Sequence, residues 1–206
     1  MFSLIIATRN QDKMKEIRAI LKGLNIKLYS LLDFDEKIKI EENGSSFCQN
    51  ASLKAEKASK ILAGFCLGED SGLSVDYLGG RPGIYSARFA GENCTYSENN
   101  QRLLKELAGV PAYKRKAKFT TCLALAKDGK TIELFEGSIR GMIAFMPRGN
   151  FGFGYDPLFY LPRYKKTMAE LKPEIKNKIS HRYRALLKFR NYLKKNLCKL
   201  QEDIDS

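Results

Sequence analysis

The chain has 206 residues, of which 44% are hydrophobic and 29% are charged. This balance excludes a wholly disordered protein, and the length predicts one large domain or two tightly joined lobes. No apolar run approaches the roughly 18 residues of a membrane span. The N-terminal segment lacks the basic region and the apolar length of a signal peptide. We therefore expect a soluble, cytoplasmic protein with no membrane partner.

The formal net charge is +13, and most of the excess lies near the C-terminus. The segment 163–199 contains 13 Lys and Arg residues against two Glu residues. A basic face favours an anionic partner, so nucleic acid and a polyphosphate nucleotide are both candidates. A solvated helix face is a third interpretation of the same residues.

The cysteine and histidine content limits the kinds of metal site and cross-link. The five cysteines include no C-x-x-C pair and are odd in number, which argues against a zinc site and a disulfide framework. We expect them to be small buried hydrophobic residues in a reducing compartment. The single histidine, His181, excludes a site built from several histidines. A divalent metal would therefore need carboxylate ligands, which suits Mg²⁺.

The first half of the chain alternates predicted strands and helices. Phe2–Ala7 is a short apolar run that predicts a buried strand. Asn10 can cap the helix that follows. Ile26–Leu31 is predicted as a second strand, and residues 45–62 as a helix capped by a serine. Next comes Phe65–Leu67, which is predicted as a strand that ends in a polar turn at residues 68–72.

The second half contains a predicted hairpin. A helix is predicted over Thr95–Ala108, and the strands Ala117–Ala126 and Thr131–Ile143 are joined by a turn at residues 128–129. Ser180 is predicted to cap the last helix, and residues 201–206 to form a frayed tail. Alternating elements followed by a hairpin predict a mixed α/β sheet and not a pure βαβ array.

The segment Thr8–Lys13 joins the first strand to the first helix. A strand-to-helix turn directs free backbone N–H groups and the positive end of the helix dipole outward, which suits phosphate. The segment is not a Walker loop, because the glycines are missing. An ordinary capped turn is the alternative.

Two pairs of adjacent carboxylates are candidate metal ligands. Glu41 and Glu42 precede a glycine turn, and Glu69 and Asp70 directly follow an apolar strand. Carboxylates at the carboxyl end of a strand occupy the usual position of α/β active sites. Mg²⁺ takes one or two carboxylates plus phosphate oxygens, and a neighbouring carboxylate can deprotonate a water. The alternatives are a solvated loop for the first pair and a local polar turn for the second.

Two later segments are candidate ligand-binding segments. Residues 149–157 interleave three glycines with three aromatic residues, which suits a loop that approaches a flat ligand and stacks a ring on it. Lys176, His181 and Arg182 are donors near the start of the last helix. A structural loop and a structural histidine are the alternatives.

Motifs that support a family resemblance extend from Ala7 to Arg182. They are Ala7-Thr8-Arg9-Asn10 with Lys13, Gly44-x-x-Phe47 with Asn50-Ala51 and Lys54-Ala55, Asp70-Ser71-Gly72-Leu73, Leu78-Gly79-Gly80-x-Pro82-Gly83-Ile84-Tyr85-Ser86-Ala87-Arg88, Gly152-Phe153-Gly154-Tyr155-Asp156-Pro157, and Lys176 with Ser180-His181-Arg182. The strings 78–88 and 152–157 are highly specific. In this order the motifs resemble the inosine triphosphate pyrophosphatase family, which hydrolyses deaminated purine nucleoside triphosphates.

The resemblance implies a homodimer of α/β subunits. Each subunit would have a mixed, strongly twisted central sheet flanked by helices, and two lobes with a substrate cleft between them. Residues 1–200 would form this two-lobed domain. The implied reaction is Mg²⁺-assisted hydrolysis of ITP, dITP and XTP between the α and β phosphates, which gives the monophosphate and pyrophosphate.

The resemblance also implies a role for each matched position. Asp70 is the base that activates water and serves the metal together with Glu42, while Ser71 contacts the substrate and Lys54 lies on the phosphate side. The implied triphosphate-binding residues are Thr8, Arg9, Asn10, Gln11, Asp12 and Lys13. The implied base-pocket residues are Phe153, Gly154, Tyr155, Asp156, Lys176, His181 and Arg182.

Two other functions remain open. One is a pyrophosphatase for other modified nucleotides, and the other is a basic nucleic-acid-binding module. Against the module, the last helix has a regular apolar face, the candidate site contains carboxylates that repel a phosphate backbone, and no nucleic-acid-binding motif occurs in the sequence. We therefore expect no stable nucleic-acid partner.

Overall fold

The computed structural model describes residues 2–34, 38 and 40–205 of the chain. Its strands are β1 (Phe2–Ile6), β2 (Ile26–Ser30), β3 (Cys66–Val75), β4 (Lys116–Lys127), β5 (Lys130–Ile143), β6 (Phe159–Leu161) and β7 (Lys166–Thr167). Its helices are α1 (Gln11–Leu21), α2 (Phe47–Leu62), α3 (Tyr96–Glu106), α4 (Pro173–Ile179) and α5 (His181–Asp205).

The strands form one mixed sheet in the order β2-β1-β3-β4-β5-β6-β7. β1 pairs in parallel with β2 and β3, whereas β6 pairs antiparallel with β5 and β7. The predicted mixed α/β sheet is therefore confirmed. The sequence did not predict β6, β7 or α4, because these elements have only three, two and seven residues and show no full period of apolar residues.

Local signals define several element boundaries. The side chains of Asn10, Ser46 and Thr95 each accept a hydrogen bond from a backbone N–H in the first turn of α1, α2 and α3. Between β4 and β5, Asp128 and Gly129 both have positive φ values, of 51° and 76°. That backbone matches the tight hairpin turn predicted from this dipeptide.

The chain divides into two compact units. Unit 1 comprises Met1–Asp70, Thr121–Gly137 and Arg182–Ser206, and unit 2 comprises Ser71–Thr120 and Ser138–His181. The core of unit 1 is formed by apolar side chains of β1, α1 and α5, among them Phe2, Leu4, Ile6, Ile17, Leu21, Leu186 and Phe189. The core of unit 2 includes Leu73, Leu103, Phe119, Leu158 and Phe159. Each such buried side chain contributes about 1.5–3 kcal/mol, so each unit has its own source of stability.

The predicted end of the third strand is wrong. The polar turn expected at residues 68–72 is instead continuous strand, because β3 extends to Val75. Glu69 and Asp70 are only 2% and 5% exposed, so the sequence pattern of a polar turn conceals two buried carboxylates. Gly68 explains the close packing here: a Cβ at this residue would lie 2.0 Å from the backbone oxygen of Ala51 in α2. Only glycine permits that approach of helix to strand.

The prediction of reduced cysteines is also wrong for one pair. Cys48 in α2 and Cys122 in β4 form a disulfide, with their Cα atoms 5.0 Å apart. That separation lies within the usual range for a disulfide. Cys66 and Cys94 are free thiols. The two bonded residues are 74 positions apart, so their approach follows from the packing of α2 on β4 and has no local signal.

The C-terminal helix extends into the predicted tail. The backbone of α5 is helical through Asp205, and the fraying of residues 201–206 stays a prediction. In the part of the chain that the structure describes, no helix has the length and apolar character needed to cross a membrane.

Candidate active site

Asp70 lies in the buried middle of β3 and is held by two side chains of α2. Nδ2 of Asn50 donates to Asp70 Oδ2 at 3.1 Å, and Nζ of Lys54 donates to Asp70 Oδ1 at 3.2 Å. Asn50 and Lys54 are four residues apart, so they lie on one face of the helix. One carboxylate therefore has a neutral donor on one oxygen and a cationic donor on the other.

Lys54 also contacts a second predicted metal ligand. Its Nζ is 2.9 Å from Glu42 Oε2, and the same nitrogen donates to the backbone oxygen of Glu69 at 3.2 Å. The carboxylates of Glu42 and Asp70 thus converge on one ammonium group. Glu41, the other member of the first predicted pair, is exposed.

Glu69 belongs to a neighbouring cluster of buried charges. Its Oε1 accepts from Arg182 Nε at 2.8 Å and from Thr121 Oγ1 at 3.1 Å. Arg182 also pairs with Glu16. Burial lowers the pKa of Arg182, but the charges and hydrogen bonds of Glu69 and Glu16 outweigh burial and raise this pKa above its ordinary value. The guanidinium therefore remains charged.

Lys13 lies beside this cluster, at the start of α1. Its Nζ is 3.9 Å from Glu69 Oε1, and its side chain is 16% exposed. Burial lowers the pKa of Lys13, and the charge of Glu69 offsets part of this effect. The backbone N of Lys13 donates to Asn10 Oδ1 at 3.0 Å, and the N of Asn10 donates to Thr8 Oγ1 at 3.1 Å. Two side chains of the predicted phosphate segment thus shape the turn itself.

The remaining residues of that segment lie nearer the surface. Arg9 and Gln11 are exposed. The carboxylate of Asp12 is 44% exposed and lies 3.6 Å from Lys15 Nζ. A surface pair of this kind is worth about 0–1 kcal/mol, so it leaves the segment adaptable.

In unit 2 the glycine-rich loop contains a buried ion pair. Lys176 Nζ pairs with Asp156 Oδ2, and both side chains are 4% exposed. The same Nζ lies 4.9 Å from the centre of the Phe153 ring, while the backbone N of Phe153 donates to Asp156 Oδ2 at 2.9 Å. A Cβ on Gly152 would lie 2.1 Å from Asp156 Oδ2, so the loop requires glycine there. The loop thus holds an aromatic ring beside two fixed charges.

Two other loop residues have structural contacts. Tyr155 is 5% exposed, and its hydroxyl donates to the backbone oxygen of Ser86 at 2.9 Å. Burial raises the pKa of Tyr155, so the phenol remains neutral. The backbone oxygen of Gly154 accepts from Asn100 Nδ2 at 3.0 Å. These contacts support the loop that presents Phe153.

His181 is 5% exposed and its ring stacks on Phe119, with the ring centres 4.7 Å apart and the planes 18° apart. Stacking of this kind fixes the plane of the imidazole. Ser71, the first residue of unit 2, is partly exposed.

The structure groups the predicted residues by unit. Unit 1 brings together Lys13, Glu42, Lys54, Asp70 and Arg182. Unit 2 brings together Phe153, Asp156 and Lys176. The resemblance implies that Arg182 belongs to the base pocket, but in the structure its guanidinium contacts the carboxylates of Glu69 and Glu16. A buried guanidinium needs carboxylates close to it. Its contribution to base recognition stays a prediction.

Sequence reasoning assigned no role to two residues that hold the carboxylates. Asn50 lies in the Asn50-Ala51 motif, but no sequence pattern indicates its bond to Asp70. Thr121 donates to Glu69 and to the backbone oxygen of Asp70, but it lies within an ordinary strand pattern that gives no signal.

Comparison with known proteins places this geometry in a family. The sequence model of the Ham1 family matches residues 4–192. This chain belongs to the Ham1 family. The matched range includes every residue predicted for the site. The similarity also confirms the predicted family resemblance and the α/β fold class.

Relatives of this Ham1 chain have a named activity. A protein of Thermoanaerobacter pseudethanolicus named dITP/XTP pyrophosphatase is 48% identical over 194 residues, which cover 94% of this chain and 98% of that protein. A Geobacillus kaustophilus protein of the same name is 50% identical over 188 residues, or 91% and 92% of the two chains.

Solved structures of Ham1 proteins have the same fold. The Coxiella burnetii HAM1 protein has a TM-score of 0.86 at 38% identity and covers 95% of this chain and 100% of its own. The Staphylococcus aureus Ham1 protein has a TM-score of 0.84 at 38% identity, with 94% and 99% coverage.

Proposed function

We propose that this Ham1 chain is a nucleoside triphosphate pyrophosphatase that hydrolyses ITP, dITP and XTP to the monophosphate and pyrophosphate. The observation that supports it most is the convergence of Glu42 and Asp70 on Lys54, in a chain similar over nearly its full length to proteins named dITP/XTP pyrophosphatase. A site of two carboxylates and buried cations suits a polyphosphate that brings its own divalent cation.

The carboxylates fit Mg²⁺. Among the described residues no group of three or more His, Cys, Asp or Glu side chains could hold a metal alone. Mg²⁺ does not require such a cage, because it usually binds one or two carboxylates, several waters and substrate phosphate oxygens. We assign Glu42 and Asp70 to the metal, because their carboxylates lie close enough together to contact the same ammonium group, that of Lys54. When bound, Mg²⁺ would neutralise phosphate charge and orient the reacting phosphorus centre.

Asp70 is the proposed base. It would accept a proton from the water that attacks the α phosphorus, while pyrophosphate leaves with the electrons of the broken P–O bond. Its carboxylate is buried and held by Asn50 and Lys54, so its direction is set before substrate binds. Lys54 and Lys13 are the proposed cationic partners of the phosphates.

The purine base of the substrate would be recognised by residues of unit 2. Phe153 offers a ring face, while Asp156 and Lys176 form a fixed pair of acceptor and donor beside it. His181 is a proposed donor to the 6-keto oxygen that hypoxanthine and xanthine share. The substrate cleft and the homodimer also remain predictions.

The test is a panel of nucleoside triphosphates with Mg²⁺ and identification of the products. We expect ITP, dITP and XTP to give monophosphate and pyrophosphate, with ATP and GTP much slower. Release of diphosphate and phosphate from ITP would contradict the proposal. A faster reaction on another modified nucleotide would favour the alternative substrate class.

A further inference from the structure

The side chain of Asn50 connects two parts of the proposed site. It is fully buried in α2. Its Nδ2 donates to Asp70 Oδ2 at 3.1 Å, and its Oδ1 accepts from the backbone N of Gly44 at 2.8 Å. The orientation of the amide follows from its partners, because the carboxylate accepts and the backbone N–H donates.

The first bond sets the plane of the Asp70 carboxylate. Lys54 holds Oδ1 at 3.2 Å and Asn50 holds Oδ2, so the two oxygens have different donors. A single donor would leave the carboxylate free to rotate about the Cβ–Cγ bond of Asp70. Because the amide is neutral, it fixes this rotation without adding a second charge beside the proposed base.

The second bond holds the segment that contains Glu42. Gly44 lies two residues after Glu42, whose Oε2 is 2.9 Å from Lys54 Nζ. A Cβ on Gly44 would lie 2.7 Å from Asn50 Oδ1 and 2.8 Å from Gln49 Cβ, so the close approach depends on glycine. Gln49 Oε1 also accepts from the backbone N of Ser45 at 2.7 Å. Gln49 and Asn50, two consecutive residues of α2, therefore hold this loop by hydrogen bonds.

We propose that Asn50 is a positioning residue that orients Asp70 and holds the Glu42 segment, so that the two carboxylates converge on one point. This inference rests on the proposed function. It assigns to one amide the relative placement of the base and of its metal-binding partner. It also gives Gln49 a role in holding the loop, through its bond to the backbone N of Ser45.

The test compares Asn50→Asp and Asn50→Ala with Asn99→Asp. Asn99 is a matched control, since it is 2% exposed, accepts from Ala90 N at 2.8 Å and donates to Ala87 O at 3.2 Å. We expect the Asn50 variants to lose on the order of 10- to 100-fold in kcat for ITP, the usual effect of such supporting partners. The Mg²⁺ concentration for half-maximal rate should rise, and the KM for ITP should change by less than about threefold. A residue that only supports the fold would lower the active fraction and leave the Mg²⁺ dependence unchanged.

A variant of Gly44 tests the same proposal if the Asn50 variants do not fold. Gly44→Ala leaves Asn50 in place but adds a methyl group against its Oδ1. It should move kcat and the Mg²⁺ dependence in the same directions. The proposal would be overturned if a folded Asn50 variant had the kcat and the Mg²⁺ dependence of the wild type. If neither Asn50 variant folds, the same result for Gly44→Ala would overturn it. Failure of the proposed function would instead be seen in the wild-type protein, as absence of pyrophosphate release from ITP.

Discussion

At the residue scale, the proposed chemistry depends on the carboxylate of Asp70. Asp70→Asn preserves the shape but removes a base and a negative charge. We expect turnover of ITP to fall at least about 10²-fold, the usual contribution of a positioned base. Binding of ITP in Ca²⁺, measured by calorimetry, should change far less. Asp128→Asn is a matched control, because Asp128 lies in an exposed turn at a φ that Asn also adopts. Turnover of Asp70→Asn close to that of the control would remove Asp70 from the mechanism.

The burial of Lys13 predicts a pH effect. Burial lowers its pKa, so the ammonium is lost at a lower pH than in an ordinary lysine, whose pKa is about 10.4. Because a triphosphate needs that charge, kcat/KM for ITP should decline on the alkaline side as the pH rises through the lowered pKa. Lys13→Arg should move this decline to higher pH, since a guanidinium stays charged. Binding of inosine, which has no phosphate, is the control. The prediction would be contradicted if kcat/KM for ITP declined over the same alkaline pH range in the wild type and in Lys13→Arg.

His181 provides a test of base recognition. Hypoxanthine and guanine both have a 6-keto acceptor, whereas adenine has an amino donor there. An unmatched donor in a closed pocket costs on the order of 1–3 kcal/mol, or roughly ten- to two-hundredfold discrimination. His181→Ala should therefore narrow the ratio of kcat/KM between ITP and ATP and change the ratio between ITP and GTP much less. If the variant loses all three activities in proportion, His181 supports the fold through its stacking on Phe119.

At the element scale, the Cys48–Cys122 disulfide joins α2 to β4. A bond that closes a loop of this length restricts the unfolded chain and contributes about 2–4 kcal/mol. Cys48→Ser should therefore lower the free energy of unfolding of the oxidised protein in urea. With excess reductant, wild type and variant should differ much less, because the wild-type bond is then absent. An equal difference with and without reductant would show that the effect comes from the packing of the side chain.

At the scale of the whole molecule, the net charge of +13 raises the question of nucleic-acid binding. Some basic residues of α5 bond to other elements of the same chain, as in the surface hydrogen bond from Lys188 Nζ to the backbone oxygen of Glu136 in β5 at 2.8 Å. We expect no binding of duplex DNA at about 0.15 M salt, and no steep slope of log K against log salt at lower concentrations. A slope of several units would support the nucleic-acid-binding alternative.

Features that depend on neighbouring residues could be predicted from the amino-acid sequence. The cap at Asn10 and the turn at Asp128-Gly129 follow from local hydrogen bonding and backbone preference. The order of the motifs was enough to predict the family and the fold class. The cap and the turn are local signals, because each involves residues at most a few positions apart.

Contacts between side chains that are distant in the sequence depend on the packing of the folded chain. Arg182 contacts Glu69 across 113 positions, and Cys48 bonds Cys122 across 74. The pair Glu69 and Asp70 has the sequence pattern of a turn, yet it lies within a buried strand because cations and amides from other elements satisfy the charges. No local periodicity encodes those partners, since burial of a charge becomes favourable only once the rest of the chain has supplied them.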